Sequence, residues 1–203
     1  MSIGDGMLMP TEIMIPVDLT GVEMPERLKA RPQWKGMAVP FTTLIGLQDG
    51  VPNFKVTDRV AWDICIEEKL CALCGQPNDY WVWYIGSVQH MTREVVFDLG
   101  MHEDCARYAA VTCPYIAFGK AYGDHIKPTK GAEIIEMGPR SAYSNEGVPV
   151  FLFKCRRDAV RVVSYDQDPR VKLAKTGTIV EAFSIPRQPR VESTPTNPTM
   201  REK

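Results

Sequence analysis

No apolar run in this chain approaches the roughly 18 residues that would cross a bilayer; the longest candidate is residues 80–88. No Lys or Arg precedes Arg27, so neither a secretory signal with its basic region nor an arginine-rich transit peptide is expected in this stretch. Net charge is nearly absent too. The 24 Lys and Arg against 25 Asp and Glu leave −1, which withdraws the global electrostatic case for nucleic acid. There is no G-x-S-x-G elbow, no phosphate-cradling glycine loop and no H-E-x-x-H helix. These absences predict a soluble, cytoplasmic protein without a recognisable nucleophile or phosphate site. In a reducing compartment, paired cysteines signal a metal before they signal a disulfide.

Such pairs are present. Cys71 and Cys74 sit in CALCG, and after 27 intervening residues His102 and Cys105 sit in HEDC. A C-x2-C pair pinches one Zn²⁺ from a tight turn, and an H-x2-C pair at the start of a helix places an imidazole and a thiolate on one face. Gly75 follows the second Cys, where the knuckle must turn back through positive φ. His102, Cys105, Ala106, Ala109 and Cys113 form one helical stripe, with Glu103 and Asp104 at the positive end of the helix dipole. The expectation is one structural zinc held by Cys71, Cys74, His102 and Cys105, in the knuckle, hairpin and helix arrangement called a treble clef. Two other readings of the same residues stand beside it: buried cysteines acting as small hydrophobes, and a redox CxxC. Within the zinc reading, four protein ligands close the site to water and substrate.

The other cysteines do not join this site. Cys113 lies eight residues beyond Cys105, about 12 Å along a helix axis, and precedes Pro114, which disfavours helical geometry before it. It is expected to close the helix on its core side. Cys65 falls in a helical stretch and Cys155 in a strand-like run, both as core thiols.

At 203 residues and 44 % hydrophobic, the chain can bury a core that does not depend wholly on zinc. The fold class expected is α+β, organised as an extended N-terminal arm (1–35), a zinc-binding core (36–118), a surface excursion (119–147), a strand pair with a short helix (148–185) and a disordered tail (186–203). Residues 39–47 and 53–57 read as a hairpin around Asp49-Gly50, which suits a type I′ turn. Asp58 reads as the N-cap of a helix reaching Leu70. Residues 80–85 and 94–99 read as a second hairpin, with Trp81, Trp83 and Tyr84 as packing residues rather than a base-stacking platform. Residues 148–154 and 159–165 read as a strand pair, and 171–185 as a short helix and strand.

The stretch GMAVPFTTLIGLQDGVPNFKVTD (36–58), then CALCG, then MHEDCARYAAVTCPYI (101–116), resembles a family of uncharacterised bacterial and bacteriophage proteins. Its pattern is a Gly-x-x-Val-Pro strand, an Asp-Gly turn, a CxxCG knuckle, an H-x2-C-Ala helix and a closing Cys-Pro-aromatic. The resemblance covers roughly residues 36–116. It implies a zinc site at Cys71, Cys74, His102 and Cys105, places Cys113 at the closing Cys, and brings no activity.

Treble clefs also include HNH nucleases, and Asp124-His125-Ile126-Lys127-Pro128 resembles their catalytic strand. The order is wrong, because Asp124 and His125 follow both ligand pairs and no downstream Asn and His helix appears. His90, between the pairs, reads as a turn residue. The expected function is therefore a non-enzymatic, zinc-stabilised binding or regulatory protein engaging a protein partner in a bacterial or phage-infected cytoplasm. The alternative is a nucleic-acid-binding accessory using Lys154, Arg156, Arg157, Arg161 and the exposed part of the aromatic hairpin at 80–85; an HNH-like nuclease is more distant.

Overall fold

The computed structural model describes residues 15–46, 49–96, 98–117, 149–165 and 168–186. The chain is a mixed α+β fold of small antiparallel sheets and short helices, as its alternation of strand-like and helical patterns predicts. The expected excursion at 119–147, the tail beyond Pro186 and the first 14 residues lie outside the described residues.

Within the described part of the expected arm, Val17 and Leu28 join the core, whereas Ile15 is exposed. Val17 is buried and its N–H donates to the Ser184 carbonyl at 2.9 Å. The short helix α1 (Glu26–Lys29) buries Leu28 completely. Strands β1 (Gln33–Trp34) and β2 (Met37–Ala38) then form a hairpin whose two turn residues, Lys35 and Gly36, both take positive φ. This is the primed-turn signature that the sequence reading places at Asp49-Gly50. There the hairpin of β3 (Thr43–Ile45) and β4 (Pro52–Thr57) does form, but only Gly50 is left-handed (φ +65°) and Asp49 is not. The Gly46 N–H instead donates to the Val51 carbonyl across a wider loop.

Helix α2 (Arg59–Glu68) starts where its cap demands. The Asp58 carboxylate accepts from the Val60 and Ala61 N–H groups at 2.9 and 3.1 Å, satisfying donors that a helix start leaves open. Trp62, Cys65 and Ile66, spaced i, i+3, i+4, form its buried face. The helix stops short of the expected Leu70, because Lys69 turns left-handed (φ +54°) and points the chain into the knuckle. Asp58→Ala should cost about 1 kcal/mol, read as a lower denaturant midpoint with unchanged slope.

The largest departure from the sequence reading lies between the ligand pairs. Strand β5 (Trp81–Gly86) does not pair with residues 94–99. A helix, α3 (Val88–Arg93), intervenes, started by a capping box between Ser87 and His90, and β6 (Val95–Val96) joins a different sheet. Helix α4 (Glu103–Thr112) follows, then α5 (Pro114–Ala117), with Cys113 between them in extended geometry as the C-cap expected of it.

The C-terminal part completes two three-stranded antiparallel sheets. Strand β7 (Phe151–Arg156) is central in the first, between β5 and β10 (Glu181–Ser184). Phe151, Leu152, Phe153 and Cys155 are all 0–2 % exposed, as a strand covered on both faces requires. A 3-10 turn at Arg157–Ala159 diverts the chain, so β8 (Arg161–Tyr165) does not pair with β7 as expected. It pairs with β9 (Asp168–Lys175), whose other edge carries β6. The expected helix after residue 171 is thus strand. Trp83 and Tyr84 pack as predicted, stacking on Phe183 and Phe153 with ring centres 6.2 and 5.9 Å apart.

Candidate metal centre

The knuckle is a miniature hairpin. Leu70 bridges Pro77, the Cys71 N–H donates to the Gln76 carbonyl and the Gly75 N–H donates back to the Cys71 carbonyl, both at 2.8 Å. Gly75 has φ +75°, and a Cβ there would lie 2.7 Å from the Phe41 ring. The residue is therefore glycine for two reasons, backbone conformation and close approach. Phe41 in turn fastens the knuckle, its N–H donating to the Leu73 carbonyl at 2.9 Å. Gly75→Ala should cost roughly 1–3 kcal/mol from left-handed strain and displacement of that ring, measured by urea denaturation, with zinc stoichiometry retained.

The second ligand pair is positioned against β5. Trp83 and Met101 exchange two backbone hydrogen bonds of 2.9 Å, which hold the residue before His102 against the sheet. His102 is the extended N-cap of α4 and Cys105 its third residue, so the imidazole enters from just outside the helix and the thiol from its first turn. The Ala72 N–H donates to the Gly100 carbonyl at 3.0 Å, joining the knuckle directly to this entry segment.

These elements bring together the four side chains that the spacing singles out. The sulfurs of Cys71, Cys74 and Cys105 and a ring nitrogen of His102 all lie within 4.8 Å of one another. Exposures are 0, 7, 0 and 1 % in that order. Tetrahedral bonds of about 2.3 Å to sulfur and 2.0–2.1 Å to nitrogen leave ligand atoms roughly 3.5–3.8 Å apart. The Cys74 Sγ to His102 Nδ1 distance, 3.4 Å, is already of that size. On the far side of the ring, Nε2 lies 2.9 Å from the Pro77 carbonyl. A carbonyl only accepts, so Nε2 carries a proton, and a neutral ring would turn the Nδ1 lone pair to the cluster, the outer-sphere arrangement of a metal-bound His.

The electrostatics suit a cation. Hydrogen bonds from the Cys105 and Cys71 thiols, with His102 and the Gln76 backbone, hold Cys74 far below the ordinary thiol range. Cys105 is pushed far up, first by its bond to Cys71 and then by that to Cys74. Burial pulls the His102 pKa down, but the Cys71 and Cys74 sulfurs outweigh it and raise it to about 10. These opposed shifts arise because four donor atoms are crowded into one buried space, and a divalent ion bound there would take the place of their protons. Zn²⁺ fits this soft donor set and tetrahedral count.

Several surrounding groups escaped the sequence reading. Arg27 reaches Asp104 at 3.0 Å and Asp79 at 3.8 Å, so α1 fastens together the knuckle exit and the start of α4. It lies within electrostatic reach of Cys74 and Cys105. Nothing local marks Arg27, because Asp104 is 77 positions away. On the opposite flank, Arg157 donates to the Asn78 carbonyl at 2.6 Å.

The remaining candidates stand apart from the cluster. Burial raises the Cys65 and Cys155 thiols to about 12, as expected of core cysteines. His90 is not a turn residue: it sits in α3, where its Nδ1 accepts from the Ser87 N–H at 3.2 Å. Asp124 and His125 lie outside the described residues. The basic cluster is committed internally. Lys154 pairs with Glu181 at 2.8 Å and covers the Trp81 and Trp83 rings, Arg156 pairs with Asp158, and Arg161 bonds the Asp158 and Val160 carbonyls.

No family model, no curated protein and no solved structure matches the chain. Among the described residues, no helix is long and apolar enough to cross a membrane. The fold and its buried Cys₃His cluster define an α+β protein with a candidate site for one metal ion, of a chemistry that suits zinc.

Proposed function

We propose that this chain is a non-enzymatic, zinc-stabilised binding or regulatory protein whose zinc holds the knuckle, β5 and the start of α4 in register for engagement of a protein partner. The observation that carries this reading is closure of the site: all four ligand positions come from side chains no more than 7 % exposed. A tetrahedral ion so held has no vacant position for water or substrate. The internal commitments of Lys154, Arg156, Arg157 and Arg161 favour a protein partner over a phosphate backbone. The resemblance to bacterial and bacteriophage proteins suggests a bacterial or phage-infected cytoplasm as the setting.

The test compares zinc-loaded chain with the Cys71→Ser variant, by cross-linking in bacterial lysate and by anisotropy with DNA and RNA at stepped salt. A discrete protein cross-linked only by the zinc-loaded chain is the expected outcome. Nucleic-acid binding that weakens log-linearly with salt would replace it with the accessory reading. Metal-dependent nicking abolished by His125→Ala would replace it with the nuclease reading.

A further inference from the structure

Behind the knuckle, where α2, β5 and β9 meet, the structure contains a cavity of about 20 Å³ lined by Cys65, Asn78, Val82, Tyr84, Gly100 and Ala174, among others. Asn78 is the unusual member. Its main chain is fully used, the N–H donating to the Lys69 carbonyl at 3.0 Å and the carbonyl accepting from Arg157 at 2.6 Å. Its side chain is 4 % exposed, yet Oδ1 has no hydrogen-bond partner among the described residues. A buried carboxamide oxygen left dry is strongly disfavoured.

A second polar group enters the same space. Tyr84 is 2 % exposed, and a methyl added at Gly100 would meet its hydroxyl at 3.2 Å and the Asn78 Nδ2 at 3.3 Å. The same Cβ would lie only 2.3 Å from Val82 Cγ1, so glycine at position 100 is what lets the Val82 methyl and these two polar groups converge. Much of the remaining lining is apolar, including Ile66, Val82, Leu99 and Ala174. A site of this volume exceeds the roughly 10–15 Å³ that one water requires and is far below the 300 Å³ or more of an organic ligand pocket.

We propose that one buried water occupies this cavity as a fixed part of the fold, donating to Asn78 Oδ1 and hydrogen-bonded to the Tyr84 hydroxyl. It ties β5 to the residue after Pro77, whose carbonyl orients His102. The site requires no metal, so it stands independently of the function proposed above.

NMR on the full chain tests it through cross-peaks at the water frequency. The expected result is a cross-peak from a long-lived water to the Gly100 amide and to the Asn78 side-chain amide. Asn78→Leu, close in shape but without the carboxamide, should abolish the Gly100 cross-peak. Tyr84→Phe, which removes one partner, should speed exchange of the water at least tenfold while metal content stays that of the unaltered chain. Absence of the cross-peak in the unaltered chain would overturn the proposal, as would unchanged exchange in Tyr84→Phe. The Tyr84→Phe comparison decides the matter if Asn78→Leu does not fold.

Discussion

Cys71→Ser is expected to abolish stoichiometric zinc and lower the melting temperature by roughly 10–20 °C, the shift that about 5 kcal/mol makes in a domain of this size. Structural zinc sites bind with apparent free energies of about 10–16 kcal/mol at neutral pH. The loss should be smaller than that here, because β7 and its neighbours bury a core away from the cluster. Cys105→Ser should behave alike, since its sulfur lies in the same group of four ligand atoms. Cys113→Ser is the control. That residue caps α4 and is outside the cluster, so its variant should keep the full complement of zinc. Metal analysis with calorimetry on the three variants reads both quantities together. Because thiols and an imidazolium must lose protons to become ligands, lowering the pH should release zinc from the unaltered chain, and raising it should restore retention. A chain that held no zinc, or kept it in Cys71→Ser, would remove the metal reading.

Phe153→Ala is the second large expected effect, about 3–5 kcal/mol. Phe153 is 0 % exposed on the central strand, stacks on Tyr84 at 5.9 Å and lies opposite Ala182 on the other neighbouring strand. Its removal would open a void between neighbours that the paired backbones hold in place, so relaxation is limited. Zinc content should remain at one per chain. Calorimetry and metal analysis together would show whether sheet and metal centre fail separately, the expected result, or collapse as one unit.

What could be read from the sequence was local. The four ligands, the Gly75 turn, the Asp58 cap and the acidic first turn of α4 all act over a few residues, so their spacing carries the information. Strand partnership acts over long separations and could not be read. Tyr84 pairs with Phe153, 69 positions on, whereas residues 94–99 alternate like the return strand of a nearby hairpin. The Ser87 and His90 capping box that starts α3 uses a His where Glu or Gln is usual, so the helix breaking that hairpin gave no familiar signal. At residues 171–175 an apolar and basic mixture fits a helical turn as well as a strand, and pairing with β6 and β8 decides for the strand. Arg27 and Asn78 were invisible because their roles exist only after α1 and the knuckle are packed.

The pairing of β5 has a consequence for synthesis on the ribosome. Gly86 is translated 65 residues before Phe151, the first residue of the strand that covers its edge, an interval of roughly 3–13 s at 5–20 residues per second. For that time a strand carrying Trp83, Tyr84 and Ile85 has no central partner. Its opposite edge is claimed much earlier, by Met101 through Trp83, and Cys105 completes the ligand set four residues later. Metal captured by the emerging chain would hold one side of β5 while the other waits, so metal supply would then bear on how much nascent protein folds rather than aggregates.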